Sequence, residues 1–278
     1  MKPAAFEYVR AGSIKEACAA LREANGEARP IAGGQSLGPM LNLRLVQPRL
    51  LVDISGLQEL SDFHEGDDVI RIGACITASD IEDQRIATPA VPMLAEVAAG
   101  IAYRAVRNRS TIGGSLCHAD PAADWVNLLP ALGASYVVTD GAKTRTVPAE
   151  MFTISAYETA LQPGEILSAI CIPKLSREVR WGYVKLSRKI GKFALAIGAV
   201  VFDGGRDVFR AVLGATHGKP IVVADATEIF AHQPFRGPAK IDELRIAELL
   251  EERGIAPGPA RHLYLAALRR AAAEAFGS

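Results

Sequence analysis

The sequence has few cysteines, and they form no pattern that would hold a metal. Its 278 residues contain four cysteines, 57, 42 and 54 positions apart: Cys18, Cys75, Cys117 and Cys171. No CxxC pair and no histidine at zinc-ligand spacing accompanies them. We interpret all four as small buried apolar side chains, and we expect any metal or iron–sulfur chemistry to come from another chain.

A net charge and long apolar runs are also missing. Basic and acidic residues number 31 each, so no long-range field favours nucleic acid or an anionic membrane as a partner. The longest apolar runs, such as Phe193 to Phe202, are too short to span a bilayer, and the opening residues contain no signal-peptide stretch. With 49% hydrophobic and 22% charged residues, we expect a folded cytoplasmic protein of about two domains.

Several motifs for nucleotide binding or hydrolysis are absent or incomplete. The stretch GGQSLGPM spaces Gly33 and Gly38 like a P-loop, but Pro39 and Met40 occupy the positions of its Lys and its Ser or Thr. The sequence contains no GxGxxG, and Ser36 is not in a GxSxG elbow. ATP hydrolysis, a Rossmann NAD site and an α/β-hydrolase are therefore disfavoured.

The order of the patterns that are present predicts an α+β chain. A helix is predicted from Ser13 to Gly26, where Ser13 and Glu16 can form a capping box. A second helix is predicted to take Asp120 as its N-cap and to stop at Gly133. Strand patterns dominate from Ser135 to the polar stretch KLSREVR, and three strands (WGYVKLSR, FALAIGAVVF and VFRAVLGA) followed by two helices are predicted after it.

Two pairs of glycines are the strongest chemical signal in the chain. Gly33–Gly34 and Gly113–Gly114 are predicted turns, with hydroxyl side chains nearby at Ser36 and Thr111. Glycine lets backbone N–H groups approach and surround an anion, so two converging turns could cradle a pyrophosphate without a lysine. A helix N-terminus near Pro121 would add partial positive charge. Either pair alone is more often a structural turn, so both interpretations stay open.

Charged residues near the second pair could take part in such a site. The carboxylate of Asp124 suits the hydroxyls of a ribose or a ribityl chain. Arg104, Arg107 and Arg109 either bind phosphate or form a solvated or partner-facing surface.

Three segments carry a resemblance to a known family. AGGQSLGPMLNLR (residues 32–44), RNRSTIGGSLCHADPAAD (residues 107–124) and GYVKLSRKIGKFA (residues 182–194) are similar to signatures of one flavoprotein group. The chain resembles the FAD-binding medium subunit of the molybdenum hydroxylases, the carbon monoxide dehydrogenase and xanthine dehydrogenase family. The similarity runs in the same order over essentially the whole chain.

The resemblance implies a set of residues around a non-covalently bound FAD. It places the pyrophosphate on Ala32, Gly33, Gly34, Gln35, Ser36 and Leu37 and on Thr111, Gly114 and Ser115. Asp124 would hold the ribityl hydroxyls, and Ile101 and Ala102 would line the adenine side. Ile166, Leu167 and Lys185 would flank the isoalloxazine, with Tyr183 as a possible ring neighbour. Ile166 and Leu167 could instead be strand core, Lys185 a surface lysine, and His118 a base, a flavin contact or a plain loop histidine.

The same resemblance implies an architecture and a role. The expected fold is α+β: a PCMH-type FAD-binding domain over residues 1–173, with subdomains of about 1–58 and 59–173, and a small α+β C-terminal domain over residues 174–278. A molybdenum-cofactor large subunit would hydroxylate the substrate and an iron–sulfur small subunit would relay electrons to the flavin. We expect a dimer of such heterotrimers, with no catalytic acid or base and no metal ligand in this chain.

Two other interpretations remain open on sequence alone. One is a self-contained flavin oxidase of related fold, although the modest length after residue 173 disfavours the substrate-binding cap it would need. The other is an assembly subunit that has lost FAD. Lys192 stands where the family usually has Asp, which leaves the role of the third segment undefined.

Overall fold

A computed structural model describes residues 2–86, 88–230 and 240–277 of the chain. Helices and strands alternate in the α+β manner predicted from the sequence. Three sheets follow one another along the chain, with three, five and four strands, and a two-stranded hairpin accompanies the second.

The first sheet is parallel and precedes residue 54. Its elements are β1 (Glu7–Arg10), α1 (Ile14–Glu23), β2 (Ala28–Ile31), α2 (Leu37–Asn42) and β3 (Leu50–Asp53), with strand order β1-β3-β2. The predicted first helix is confirmed as α1, because the Ser13 hydroxyl accepts from the Glu16 N–H at 3.2 Å. The Glu16 carboxylate accepts from the N–H of Gly12 rather than from that of Ser13.

The second sheet is antiparallel and is covered by a group of helices. Its strands are β4 (Phe63–Glu65), β5 (Val69–Gly73), β6 (Ser135–Thr139), β7 (Thr144–Pro148) and, after the hairpin of β8 (Thr153–Ser155) and β9 (Glu158–Thr159), β10 (Ile166–Pro173). The helices are α3 (Ala78–Glu82), α4 (Met93–Ala99), α5 (Arg104–Arg107), α6 (Ile112–His118), α7 (Asp124–Ala131) and α8 (Ala149–Phe152). The strand order is β4-β5-β10-β6-β7.

The third sheet is also antiparallel and carries the last two helices. Its elements are β11 (Arg180–Leu186), β12 (Ala196–Asp203), β13 (Val208–Gly214), β14 (Ile221–Val223), α9 (Glu243–Glu252) and α10 (Pro259–Phe276). Short 3₁₀ turns lie at Gln58–Leu60 and Ala226–Glu228. Helix α10 lies so close to β12 that a Cβ added at Gly198 would come within 2.5 Å of the Ala267 backbone.

The two faces of β12 belong to two different hydrophobic cores. Successive strand residues point to opposite faces. Ala199 and Val201 pack into the core of the second sheet, and Ala196 and Val200 pack against α9 and α10. We propose the domain division predicted from the sequence, residues 1–173 and 174–278. The core of the second sheet contains residues from both of these domains.

The predicted start of the helix after the second glycine pair is wrong. Helix α7 begins at Asp124 with Ala123 as its N-cap, three residues later than the predicted N-cap Asp120. The Asp120 carboxylate accepts from the Ala122 N–H at 2.9 Å, so it closes a turn in front of the helix instead of capping it. None of the helices within the described residues is long and apolar enough to cross a membrane.

Candidate functional site

The first glycine loop, Ala32–Leu37, packs directly against the segment that leads into the second. A Cβ added at Gly33 would lie 1.9 Å from the Arg109 carbonyl oxygen and 3.1 Å from the Ser110 Cα. No side chain fits in that space, so the backbones touch because residue 33 is glycine. The structure therefore brings the two loops together across 76 residues of sequence.

The backbone N–H groups of the first loop are available for a ligand. Gly34 has a φ of +70°, a left-handed conformation that turns consecutive N–H groups to one side. Over the part of the chain that the structure describes, the N–H groups of residues 33–37 have no acceptor within the protein. Gln35 closes the loop by donating its Nε2 to the Gly33 carbonyl at 3.1 Å. Such a concave row of N–H groups is suited to an anion.

The second glycine pair is not a turn but the first turn of α6. Thr111 is the N-cap, and its hydroxyl accepts from the Gly114 N–H at 3.0 Å. The N–H groups of Ile112 and Gly113 also donate within the chain, to carbonyls of the segment after β5. These three N–H groups cannot surround a phosphate as predicted, because the helix and its cap already use them. The exposed backbone of Gly114 and the half-buried Ser115 remain accessible.

Ser110 is a further candidate for the site that the sequence motifs did not single out. Its hydroxyl oxygen is buried without a hydrogen-bond partner, whereas its backbone carbonyl accepts from the Ala78 N–H. Buried hydroxyls are almost always hydrogen-bonded, so an orphan hydroxyl beside Gly33 fits an additional group bound there. A single serine before a glycine motif gives no sequence signal of this kind.

Two of the three arginines pair with carboxylates within the protein. Arg107 forms two hydrogen bonds to the Glu82 carboxylate and donates to the carbonyls of Ile101 and Ala102 at 2.9 and 3.3 Å. Arg104 pairs with Glu82 and Asp83. Hydrogen bonding to Arg107 is the main cause that lowers the pKa of Glu82. Arg109 remains exposed, with its Nε 3.4 Å from the Gly33 carbonyl oxygen.

Three predicted site residues meet at the junction of α7 and β11. The Asp124 carboxylate is only 6% exposed, and it accepts from the Tyr183 hydroxyl at 2.9 Å and from Lys185 Nζ at 2.7 Å. Burial raises the pKa of Asp124, and the Lys185 charge opposes that shift. Burial and the Asp124 charge raise the pKa of Tyr183, which keeps its hydroxyl protonated as a donor. Lys185 Nζ also lies 3.5 Å from the Gly100 carbonyl oxygen.

The side chain of Asn127 holds the loop in front of Asp124. Its Nδ2 donates to the carbonyls of Pro121 and Ala123, both at 2.8 Å, and the residue is completely buried. A Cβ added at Gly214, on β13, would lie 2.1 Å from Asn127 Oδ1. Sequence reasoning missed Asn127, because a lone asparagine in a helix pattern has no distinguishing feature.

The remaining predicted residues lie in different surroundings. Ile101 and Ala102 are half-buried in the loop braced by Arg107. Ile166 and Leu167 are each 2% exposed within hydrophobic cores, which agrees with the alternative interpretation as strand core. His118 ends α6 instead of lying in a loop, and its ring packs 5.2 Å from that of Tyr157.

The cysteines show no sign of reactivity. Cys18 and Cys75 are buried, Cys117 and Cys171 are half-buried, and all four are free. Burial raises the pKa of Cys75 and Cys117 to about 12, so both remain thiols near neutral pH. Among the described residues, no group of three or more His, Cys, Asp or Glu could hold a metal ion.

A match to a protein family covers both glycine loops and Asp124. Residues 4–175 match the family described as FAD binding domain in molybdopterin dehydrogenase. The chain belongs to this family. Among members of the FAD-binding family, the carbon monoxide dehydrogenase medium chain of Hydrogenophaga pseudoflava is 39% identical over 201 residues, 72% of this chain and 70% of that relative. The caffeine dehydrogenase subunit beta of Pseudomonas sp. (strain CBB1) is 36% identical over 208 residues, 74% of this chain and 70% of that relative.

Solved structures of this FAD-binding family resemble the chain over nearly its full length. A chain of the Hydrogenophaga pseudoflava carbon monoxide dehydrogenase lacking the Mo-pyranopterin moiety has a TM-score of 0.84 at 32% identity, covering 99% of this chain and 98% of that one. A chain of quinoline 2-oxidoreductase from Pseudomonas putida 86 has a TM-score of 0.83 at 33% identity, with the same coverage. The C-terminal sheet and helices therefore have counterparts in these structures, although they lie beyond the family match.

Proposed function

We propose that the chain is the FAD-binding electron-transfer subunit of a molybdenum-containing hydroxylase or dehydrogenase. The observation that carries this proposal is the contact between Gly33 and Arg109, which sets a row of free N–H groups beside the start of α6. An FAD pyrophosphate needs such donors because it is a dianion. Family membership supports FAD as the ligand that uses them.

Different residues around this contact bind different parts of FAD. The N–H groups of residues 33–37 and the orphan Ser110 hydroxyl hold the pyrophosphate, with Gly114 and Ser115 along its other side. Arg109 adds an exposed positive charge beside the first loop. Ile101 and Ala102 line the adenine side, on the loop that Arg107 braces.

Asp124, Tyr183 and Lys185 form the end of the site that holds the ribityl chain. Asp124 accepts hydrogen bonds from the ribityl hydroxyls, and Lys185 and Tyr183 fix the carboxylate in place. We propose Lys185 and Tyr183 as neighbours of the isoalloxazine, with Ile166 and Leu167 in the core behind them. FAD, when bound, supplies the electron-transfer chemistry, and these side chains bind and orient it.

Electrons reach this subunit from other chains. The relatives are named as a medium chain and as subunit beta, so they are parts of larger complexes. We propose an iron–sulfur small subunit as the electron donor and a molybdenum-cofactor large subunit as the site of substrate hydroxylation, in a dimer of heterotrimers. An external acceptor then takes the electrons from the flavin. A cytoplasmic location remains part of the proposal.

The colour of the purified chain provides the first test. We expect a yellow protein with flavin absorbance, and we expect acid precipitation to release the flavin into the supernatant. A colourless folded chain that takes up no added FAD would favour an assembly subunit. Flavin that stays with the acid precipitate would favour a covalent flavin oxidase.

Reduction by substrate provides the second test. The complex purified from its host should bleach its flavin absorbance when the substrate of the complex is added under anaerobic conditions. The isolated yellow chain should not. Bleaching of the isolated chain at the same rate would contradict an electron-transfer role that depends on partners.

A further inference from the structure

The loop between β11 and β12 exposes a cluster of large apolar side chains. Ile190 is 88% exposed, Phe193 71% and Leu195 44%, and the neighbouring Tyr103 is 52% exposed. Single exposed apolar residues are normal, but four on one surface indicate a binding face. We call these four residues the β11–β12 loop surface.

Three cations lie in the same loop. Arg188, Lys189 and Lys192 are all exposed, and the ion pairs found among the described residues involve none of them. The whole chain has a formal net charge of zero, so this short loop is a local concentration of positive charge. A complementary surface would be apolar at its centre and acidic at its edge.

The loop is held in one shape from within the protein. Gly191 has a φ of +78°, and a Cβ added there would lie 2.9 Å from the Ala102 carbonyl oxygen and 3.2 Å from the Tyr103 ring. Ala194 is buried, and the Leu195 N–H donates to the Leu186 carbonyl at 2.7 Å. Because the loop is already ordered, it would lose little conformational entropy when a partner binds.

The position of the loop points to one partner. Through Gly191 it rests on the same Gly100–Tyr103 segment that Lys185 and Arg107 contact in the proposed FAD site. A subunit that delivers electrons to the flavin has to bind close to that site. We propose that the β11–β12 loop surface docks the electron-donating partner subunit, through an apolar patch on the partner edged with Asp and Glu. This inference rests on the proposed function.

Substitution of Ile190 tests the apolar part. The full chain is co-expressed with its partner subunits, and Ile190→Asp is compared with Leu244→Asp, which changes an 80% exposed leucine on α9. We expect Ile190→Asp to weaken association at least about 30-fold, the effect of losing a hot-spot side chain, and to leave flavin content unchanged. Leu244→Asp should co-elute with the partners like the wild type.

Several outcomes would overturn the docking proposal. The proposal fails if Ile190→Asp still co-elutes with its partners. It also fails if the variant loses flavin while the complex stays intact, because the loop would then cover the cofactor. If both the flavin and the complex are lost, the measurement is repeated at saturating FAD. Recovery of the complex overturns the proposal, and continued dissociation supports it. A wild-type chain that binds no flavin contradicts the proposed function instead.

Charge reversal tests the basic part separately. The double variant Lys189→Glu, Lys192→Glu should weaken association with the partner subunits at low salt, and its difference from the wild type should shrink as salt rises, because exposed charges are screened. An unchanged association constant at low salt would overturn the acidic edge assigned to the partner.

Self-association of the isolated chain gives a further test. If the chain self-associates and Ile190→Asp abolishes this, the surface binds a second copy and the proposal is overturned.

Discussion

Gly113 and Gly114 are adjacent residues, yet a side chain would meet different surroundings at each. At Gly113 a Cβ would lie 2.5 to 2.9 Å from three atoms of Ala74, in the packing between α6 and the second sheet. Gly114 is exposed, and a Cβ there would meet the Thr111 hydroxyl at 2.7 Å. The first glycine serves the fold, and the second lies on the proposed phosphate surface.

The first prediction uses this difference. We expect Gly114→Val to give a folded protein without bound flavin, because the loss of the Thr111 cap costs about 1 kcal/mol while the side chain blocks the phosphate. Gly113→Val, the matched variant, should lower the melting temperature strongly or prevent folding. Circular dichroism and flavin absorbance measure the two effects. Unfolding of Gly114→Val, or retention of its flavin, would contradict the assignment.

The second prediction concerns Asp124. Asp124→Ala should weaken FAD binding about tenfold to a hundredfold, since a hydrogen bond to a charged group contributes about 1.5–3 kcal/mol. Titration of the apoprotein with FAD gives the affinity.

Lys185→Met is the comparison, because it also breaks the buried ion pair but leaves the carboxylate in place. Binding should fall further in Asp124→Ala than in Lys185→Met. Equal affinities in the two variants would show that the ion pair, and not contact between the carboxylate and FAD, holds the site.

Among the elements, the first glycine loop and the segment before α6 depend on one close contact. Gly33→Ala would place a methyl group 1.9 Å from the Arg109 carbonyl oxygen, so the two segments must separate. We expect this variant to lose most of its FAD affinity with little change in secondary structure. Gly38→Ala, five residues later in α2, meets nothing within 4 Å and should retain its flavin. A Gly33→Ala protein that binds FAD as tightly as Gly38→Ala would refute the shared site.

Local sequence signals predicted the elements better than they predicted the contacts between them. The cap at Ser13 and the end of α7 before Gly133 are confirmed because their partners lie within a few residues. Asp120 and Asp124 are both suitable for a helix start, and only the folded loop, fixed by Asn127, decides between them. The Tyr183–Asp124 and Arg107–Glu82 contacts span 59 and 25 residues, which no local pattern records.

The whole molecule should behave as one component of a larger assembly. The formal net charge is zero, so long-range attraction supplies little of its affinity for partners. We predict that the co-expressed complex with iron–sulfur and molybdenum subunits survives moderate salt in size-exclusion chromatography. We also predict that the isolated chain binds FAD without dehydrogenase activity. Elution of the flavoprotein alone, or substrate turnover by it, would be inconsistent with this assembly.

The shared faces of β12 have a consequence for synthesis on the ribosome. Ala199, Val201 and Val212 complete the core of a sheet whose last strand ends at Pro173. About 40 more residues must be translated after that strand before the core can close, which takes about 2–8 seconds at roughly 5–20 residues per second. During that interval the nascent chain presents apolar surface that chaperones recognise. A chain that ended at residue 175, where the family match ends, would expose this apolar surface permanently.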